Sequence, residues 1–406
     1  MRVANPTFAP ATAAVNTAAQ IGAKTRDIRL DFFRGIAMFI ILIAHVPGNW
    51  LTLWIPARFG FSDATEIFVF CSGMASALAF GRVFREQGNM MGTVRISYRV
   101  WQIYWAHICL FFAIATAMVA LNALLPEGRN YVGQLNLHPF FKDTPTNLLG
   151  LLTLTYVPNY FDILPMYMVI LVMLPAVVIL AKINKALAFA AVIAVWLCAN
   201  LYDLNFPAEP WSERQWFFNP FGWQLIFFTG FALNARWLPA PPVDNRLFLV
   251  AVAVLLITLP FAYFRLYNEL SWALEWRKEW RALIDKTNFG ILRYVHFLSL
   301  AYVAWVLAGR NGDRLQPRDP ASPIGHIWQR MITVILKVGQ QSLAVFIASM
   351  FLARLMGALL DQVGRTHFTM FWVNLLGAAI IVGVAYGASY YKSQPWKKRS
   401  GANAKT

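Results

Sequence analysis

The chain has 406 residues, of which 58% are hydrophobic, 15% are aromatic and only 13% are charged. An ordinary soluble domain carries about 25% charged residues. The composition therefore excludes an ordinary soluble domain and predicts an integral membrane protein. The formal net charge of +16 does not indicate nucleic-acid binding, because the basic residues concentrate between predicted spans on one side of the membrane.

The predicted domain organisation has three parts. Residues 1–25 are rich in Ala, Thr and Asn and have no apolar core, which is typical neither of a signal peptide nor of a transit peptide. We expect a disordered cytoplasmic tail over 1–25, one membrane domain over 26–392 and a basic cytoplasmic tail over 393–406. The cysteines have no ligand-like spacing, so we predict neither a disulfide framework nor a metal site.

Ten apolar segments follow the N-terminal tail, and most approach the roughly 20 residues that a helix needs to cross the hydrocarbon. We therefore predict an all-α fold, a polytopic integral membrane helical bundle with about ten transmembrane helices. The segments are 35–57, 67–81, 100–126, 163–181, 186–202, 215–235, 247–264, 294–309, 338–353 and 368–391. A further apolar piece, 148–157, is too short to span and is predicted to be re-entrant or interfacial.

The distribution of Lys and Arg predicts the orientation. Most basic residues fall on the side that holds the two termini, which the positive-inside rule places in the cytoplasm. The segment 265–286 lies on the opposite side although it holds five basic and four acidic residues. We expect it to be a folded, amphipathic outer segment.

The first predicted helix carries Asp31, Arg34 and His45. Arg34 and His45 are three helical turns apart, so they share a face but stand about 16 Å apart along the axis. Ionisable groups in a span are costly and indicate a functional site. His45 precedes a Pro-Gly-Asn break and could take a proton from an attacking hydroxyl. The alternative is a structural histidine bonded to a neighbouring backbone carbonyl.

The second predicted helix begins with an acidic pair, Asp63 and Glu66. Asp63, together with Ser62, could simply cap this helix. Glu66 lies a turn deeper and could orient His45 or hold its charge.

Polar residues also mark the third predicted helix on the basic side. Arg95, Arg99 and Gln102 are spaced to share one helical face. They could form an anion site, or the arginines could only anchor the helix by the positive-inside rule.

Several polar and aromatic residues fall on the outer side: Asn159, Asp162, Trp223, Arg293 and His296. Carboxylates accept hydrogen bonds from sugar hydroxyls, and aromatic rings offer faces to sugar C–H groups. The alternative for the aromatic residues is an interfacial belt. The alternative for Arg293 and His296, on the eighth predicted helix, is a structural role.

Longer motifs then resemble a known family. They are LDFFRG at 30–35, HVPGN at 45–49, FGFSDATEIFVFCSG at 59–73, WQIYWAH at 101–107, TYVPNYFDILPMY at 155–167, WFFNPFGWQ at 216–224 and LRYVHFL at 292–298. Together they resemble OpgC-type proteins of the membrane acyltransferase-3 superfamily, over roughly residues 26–390. An arginine, ten residues and a histidine in the first helix are typical of that superfamily.

The resemblance implies an inner-membrane enzyme that moves an acyl group, typically succinyl, from a cytoplasmic acyl-coenzyme A to a periplasmic glucan. It implies that His45 is catalytic and that Arg34 belongs to the donor site. Acyl-coenzyme A would be a co-substrate, with no permanently bound cofactor. The expected partners are the lipid bilayer, acyl-coenzyme A and a glucan or other glycan, and no nucleic acid.

In the simplest scheme His45 is the general base, Asp63 or Glu66 orients it, and transfer is direct. Asp31 completes the catalytic set, Arg95 and Arg99 join Arg34 in binding the donor, and the five outer residues contact the acceptor. The alternatives are a transporter or channel that uses the buried polar residues as a proton or solute pathway, and acylation of a lipid-linked glycan.

Overall fold

The computed structural model describes residues 27–125 and 129–397. Its regular elements are helices, with only one isolated β-bridge, between Pro207 and Gln215, in this part of the chain. The predicted tail over 1–25 and most of that over 393–406 lie outside the described residues.

Seventeen α-helices follow in chain order in the described ranges. They are α1 Arg29–His45, α2 Ala64–Ala79, α3 Gly81–Glu86, α4 Gly88–Leu124, α5 Tyr131–Gln134, α6 His138–Lys142, α7 Thr144–Thr153, α8 Ile163–Ile183, α9 Lys185–Leu201, α10 Pro220–Asn234, α11 Asn245–Ala262, α12 Phe264–Glu269, α13 Ser271–Glu279, α14 Ile291–Ala308, α15 Pro323–Gln340, α16 Ser342–Val363 and α17 His367–Ser393.

Seven helices in the described ranges are long and apolar enough to cross a membrane, which supports a multi-pass membrane protein. They are α2 joined with α3, then α4, α8, α11, α14, α16 and α17. The predicted count of about ten is not confirmed, because α1 and α9 have 17 residues and α10 has 15. Most of α10 is buried in the protein, and a helix surrounded by other helices need not match the bilayer thickness.

Glycines let two pairs of helices touch through their backbones. A Cβ at Gly73 of α2 would lie 2.0 Å from the carbonyl oxygen of Phe227 in α10. A Cβ at Gly339 of α15 would lie 1.8 Å from the carbonyl oxygen of Asp31, and one at Gly35 of α1 would meet α15 in the same way. Such contacts are typical of membrane bundles, where close van der Waals packing replaces hydrophobic association.

Helix α15 was not predicted, because its apolar residues are interrupted by basic and polar ones. Ser322 begins it by accepting a hydrogen bond from the Gly325 amide at 3.0 Å, and Pro323 occupies the first turn. One face of α15 packs along α1, while Ile324 and Ile327 remain exposed.

The predicted end of the first helix is confirmed, while the re-entrant or interfacial position of 148–157 and the outer position of 265–286 remain predictions. Helix α1 ends at His45, immediately before the Pro47 turn. The short apolar piece forms a ten-residue helix, α7, and the charged segment 265–286 contains α12, α13 and a 3-10 turn at Arg281–Ile284. The path from Thr155 to Asp162 is not helical, and Tyr160 has a positive φ of 88°.

The two ends of α1 define the two ends of the bundle. At the Arg34 end, Arg29 donates to the carbonyl of Gly309, which follows α14, at 3.1 Å. At the His45 end, Arg365, which follows α16, donates to the carbonyl of Pro47 at 2.5 Å. Both contacts join the first helix to segments more than 250 residues away in sequence, so α1 is held at both ends.

Candidate active site along helix α1

Helix α1 forms because an apolar run follows Arg34 without a helix breaker until Pro47. Its buried face consists of Asp31, Gly35, Ala37, Met38, Ile41 and Leu42. Arg34 and His45 are only partly buried. The helix therefore places one cation near its start and one imidazole at its last residue, on a rigid support.

The ring of His45 has a defined tautomer. Its Nδ1 lies 2.7 Å from the carbonyl oxygen of Ile41, and a carbonyl oxygen can only accept, so Nδ1 carries the hydrogen and donates. In the neutral ring, Nε2 is then the atom with a free lone pair, as a general base requires. The bond expected of a structural histidine is thus present, and it also leaves the ring ready to take a proton.

His45 borders a cavity of about 520 Å³ formed by the end of α1 and the turns that follow it. Besides His45, its lining residues include Pro47, Thr52, Arg58 and Arg354. A cavity of this size can hold a small organic group, and His45 is part of its wall.

The turn after His45 is fixed by residues for which no role was predicted. The Arg365 guanidinium donates to the Pro47 carbonyl and pairs with Asp361 at 2.6 Å. Asn49 donates to the side-chain oxygen of Asn374 in α17 at 2.8 Å. The sequence signal that could have found this contact is the spacing of Asp361 and Arg365, which are four residues apart at the end of an apolar run.

The acidic pair of α2 forms a capping box. Asp63 accepts from the Thr65 amide at 2.6 Å, and Glu66 accepts from the Asp63 amide at 2.8 Å. Both residues therefore help to begin the helix, as proposed for Asp63 alone.

The same two carboxylates pair with cations on the α14 side of the molecule. Glu66 is fully buried and accepts from Arg293 Nε at 2.9 Å and from Arg293 Nη2. Asp63 pairs with Lys286 at 2.5 Å. The carbonyl of Ile41, and neither of these carboxylates, is the hydrogen-bond partner that orients His45.

The pKa of Asp63, which precedes the α2 span, reflects this pairing. Burial alone would raise it, but the positive charges of Lys286 and Arg293 outweigh burial and hold the pKa well below its usual range. Asp63 is therefore ionised at any physiological pH.

The other predicted acceptor residues are mostly buried. His296 Nδ1 lies 2.8 Å from the hydroxyl of Ser62, and both residues are buried. Trp223 is fully buried and donates to the carbonyl of Lys286 at 2.9 Å, so the structure gives it a packing role and no exposed face for a sugar. Asn159 accepts from Arg214 at 3.2 Å.

Asp162 precedes the α8 span and accepts from the Phe217 amide at 3.3 Å. It is 4% exposed. Burial raises the pKa of Asp162 to about 6, although that hydrogen bond and the charge of Arg214 oppose the shift. It can exchange a proton near neutral pH.

At the Arg34 end, several polar groups meet. Arg34 Nη2 donates to the hydroxyl of Ser342 at the start of α16, while its buried Nε has no hydrogen-bond partner in the described ranges. Asp31 accepts from Gln340 at 3.3 Å. Lys392 of α17 lies close enough to Arg34 to interact electrostatically. The break between α15 and α16 therefore lies beside Arg34.

The two arginines predicted on α4 differ in position. Arg99 donates to Gln102 at 3.1 Å and interacts electrostatically with Lys392, so it belongs to the group around Arg34. Arg95 is exposed. The sequence did not predict that Lys392 lies near Arg34, because the two residues are 358 positions apart and a lysine at the end of a helix is typical of a membrane anchor.

Tyr160 and Arg354 complete the surroundings of His45. The Tyr160 ring packs edge-on against the imidazole, with the ring centres 5.2 Å apart, and its hydroxyl donates to the Met350 carbonyl at 2.6 Å. The Arg354 guanidinium lies 3.9 Å from the centre of the same tyrosine ring. Arg354 was not singled out from the sequence, where it appears as a lone charge in an otherwise apolar run.

Comparison with known protein families identifies a match over most of the chain. The family model described as OpgC protein matches residues 26–393, nearly the whole chain. No curated protein and no solved structure matches.

Proposed function

The chain belongs to the OpgC family, and from that premise we propose that it is a membrane transferase that modifies a glucan by O-acylation. The donor is an acyl-coenzyme A, with succinyl as the expected acyl group, and the acceptor is a periplasmic glucan hydroxyl. The protein resides in the bacterial inner membrane with both termini in the cytoplasm, and its scaffold is that of the acyltransferase-3 superfamily. The observation that carries the chemistry is His45, which lines an open cavity and whose Nδ1 is bonded to the Ile41 carbonyl, so that Nε2 keeps the lone pair.

Acyl transfer needs one base. The acceptor hydroxyl attacks the thioester carbonyl carbon, a C–O bond forms, the C–S bond breaks, and His45 Nε2 takes the hydroxyl proton. The same imidazolium then protonates the departing thiolate, which returns His45 to the neutral state. The Nδ1 bond to Ile41 is kept in both states, because Nδ1 donates in each.

The Arg34 end suits the donor. Coenzyme A carries phosphates, and guanidinium groups bind phosphate through charge-assisted hydrogen bonds. Arg34 has a buried Nε without a partner in the described ranges, and Arg99 and Lys392 add positive charge nearby. Asp31 and Gln340 hold the adjoining helices together.

The acidic pair has a positioning role in this scheme. Asp63 and Glu66 tie the start of α2 to Lys286 and Arg293, which keeps that side of the bundle in register with α14. Among the predicted acceptor residues, Asn159 and Asp162 lie on the irregular segment that carries Tyr160 to the His45 ring. We assign acceptor contact to this segment.

The test is acyl transfer by the purified full chain in nanodiscs, supplied with succinyl-coenzyme A and a glucan and read by mass spectrometry of the glucan. We expect a mass increase of the acyl group, lost in His45→Ala. His326→Ala is the matched control, because His326 also bonds to the carbonyl four residues earlier, that of Ser322 at 3.0 Å, but is exposed and does not line the cavity. Wild-type activity in His45→Ala would refute the proposal.

A further inference from the structure

Two arginines at the His45 cavity have no carboxylate partner in the described ranges. Arg58 and Arg354 both line the cavity. Five other basic side chains at this end of the bundle do pair with carboxylates: Lys286 with Asp63, Arg293 with Glu66, Arg214 with Glu209, and both Arg365 and Arg129 with Asp361. The cavity therefore brings together two guanidinium groups that pair with no carboxylate in the part of the chain that the structure describes.

The two guanidinium groups are held in place by other contacts. Arg58 Nε donates to the carbonyl of Thr52 at 3.1 Å. Arg354 lies over the Tyr160 ring, and its buried Nε has no hydrogen-bond partner among the described residues. Both side chains keep N–H groups for a ligand, since a guanidinium has five.

An unpaired cation at the mouth of a membrane bundle is expensive unless an anion visits it. A guanidinium matches a carboxylate best, through two parallel hydrogen bonds. Tyr160 contacts both the His45 ring and the Arg354 guanidinium, so an anion bound to Arg354 lies close to the imidazole that would act on the substrate.

We propose that Arg354 and Arg58 bind the distal carboxylate of the acyl group and so select donors whose acyl chain carries a second acid. This inference rests on the proposed function and adds the residues that determine donor specificity. With the thioester carbonyl beside His45 Nε2, a short dicarboxylic acyl group directs its free carboxylate into the same cavity. A neutral acyl group of equal length would leave both guanidinium groups unpaired.

The experiment compares succinyl-coenzyme A with butyryl-coenzyme A, a neutral donor with the same four-carbon chain. The full chain in nanodiscs acylates a neutral glucan, and mass spectrometry gives kcat/KM for each donor. We expect the wild type to favour succinyl by about 100-fold, because leaving charged groups unpaired is strongly penalised. Arg354→Gln should lose most of that preference by slowing succinyl transfer, while butyryl transfer changes a few-fold at most.

Three further variants complete the test. Arg58→Gln should also reduce the preference for succinyl. This variant tests the inference if the Arg354→Gln protein does not insert into the membrane. Arg354→Lys keeps the charge and should retain part of the preference. Arg265→Gln is the control, because Arg265 is exposed, lies beside the Phe264 ring and does not line the cavity.

Equal loss of succinyl and butyryl transfer in both glutamine variants would overturn the inference and leave the arginines with a structural role. A second outcome would also overturn the inference: the glutamine variants keep the preference for succinyl but differ from the wild type in their preference between neutral and anionic glucans. The two arginines would then bind an anionic group of the acceptor. Transfer of neither donor by the wild type would overturn the proposed function and this inference with it.

Discussion

The buried ion pair between Glu66 and Arg293 determines what a substitution at either residue does. Glu66 is fully buried and Arg293 is 8% exposed, so removal of one partner leaves an uncompensated charge. We expect Glu66→Gln to lower the free energy of unfolding by about 3 kcal/mol, measured by thermal unfolding in detergent. Arg293→Met in the same protein should restore part of the loss.

Exposed Glu275 provides the control, and Glu275→Gln should unfold like the wild type. If Glu66→Gln is as stable as the wild type but loses acyl transfer and shifts its pH profile, Glu66 acts on the reaction and the structural explanation fails.

Asp162 gives a pH dependence with a definite sign. Its pKa in the folded protein is about 6 and lies above the usual value, so the folded state holds a proton that the unfolded state releases. Stability therefore falls as pH rises from about 4 to 6, by up to about 3 kcal/mol.

Asp162→Asn keeps an oxygen for the Phe217 amide but cannot ionise. Its stability relative to the wild type should rise over that pH range, as measured by thermal unfolding at fixed ionic strength. A constant difference between the two proteins from pH 4 to 7 would contradict this account.

At the scale of elements, the contact between α1 and α15 is the most sensitive to substitution. A Cβ at Gly339 would lie 1.8 Å from the carbonyl oxygen of Asp31, so the helices must separate to accept it. We expect Gly339→Ala to cost about 2 kcal/mol of stability and to weaken donor use, because the movement displaces Arg34.

Gly383→Ala is the matched control, since Gly383 lies in helix α17 with nothing within 4 Å of its Cβ position. It should be as stable as the wild type or slightly more stable, because Ala favours helix. Equal behaviour of the two variants would show that α1 and α15 are not tightly packed.

Hydropathy could predict most of the helices and the end of α1, because apolar length and the Pro47 break are local signals. It could not predict α15, whose apolar residues are interleaved with charged ones. It also could not pair Glu66 with Arg293 or Lys392 with Arg34, because sequence spacing does not report contacts between distant segments. The residues around His45 were predicted in part: Asp63 and Glu66 lie on the correct helix, but a backbone carbonyl orients the ring.

At the scale of the whole molecule, the arrangement of the two ends predicts accessibility. Gln87 follows α2 and α3. Helix α2 begins just after Asp63, which interacts electrostatically with His45, and continues past Cys71, which interacts with Arg34, so Gln87 lies toward the Arg34 end. Glu213 lies at the opposite end, next to Arg214, which contacts Asn159. Both residues are exposed.

In a background without the three free cysteines, Gln87→Cys should react with an impermeant thiol reagent only from the cytoplasm. Glu213→Cys should react only from the periplasm. Labelling of both from the same side would contradict the proposed orientation and the path of the chain.

Helix α1 also fixes the distance between Arg34 and His45. Arg34 and His45 are fixed on one continuous helix, so the distance between them, about 16 Å, is set by the number of residues between them and cannot adjust to the substrate. Under the proposed function, a donor engages both ends only if its thioester lies at that distance from its charged group. The length of the donor would then be selected separately from its charge. The thioester of a shortened carrier would reach His45, but its charged group would not bind Arg34.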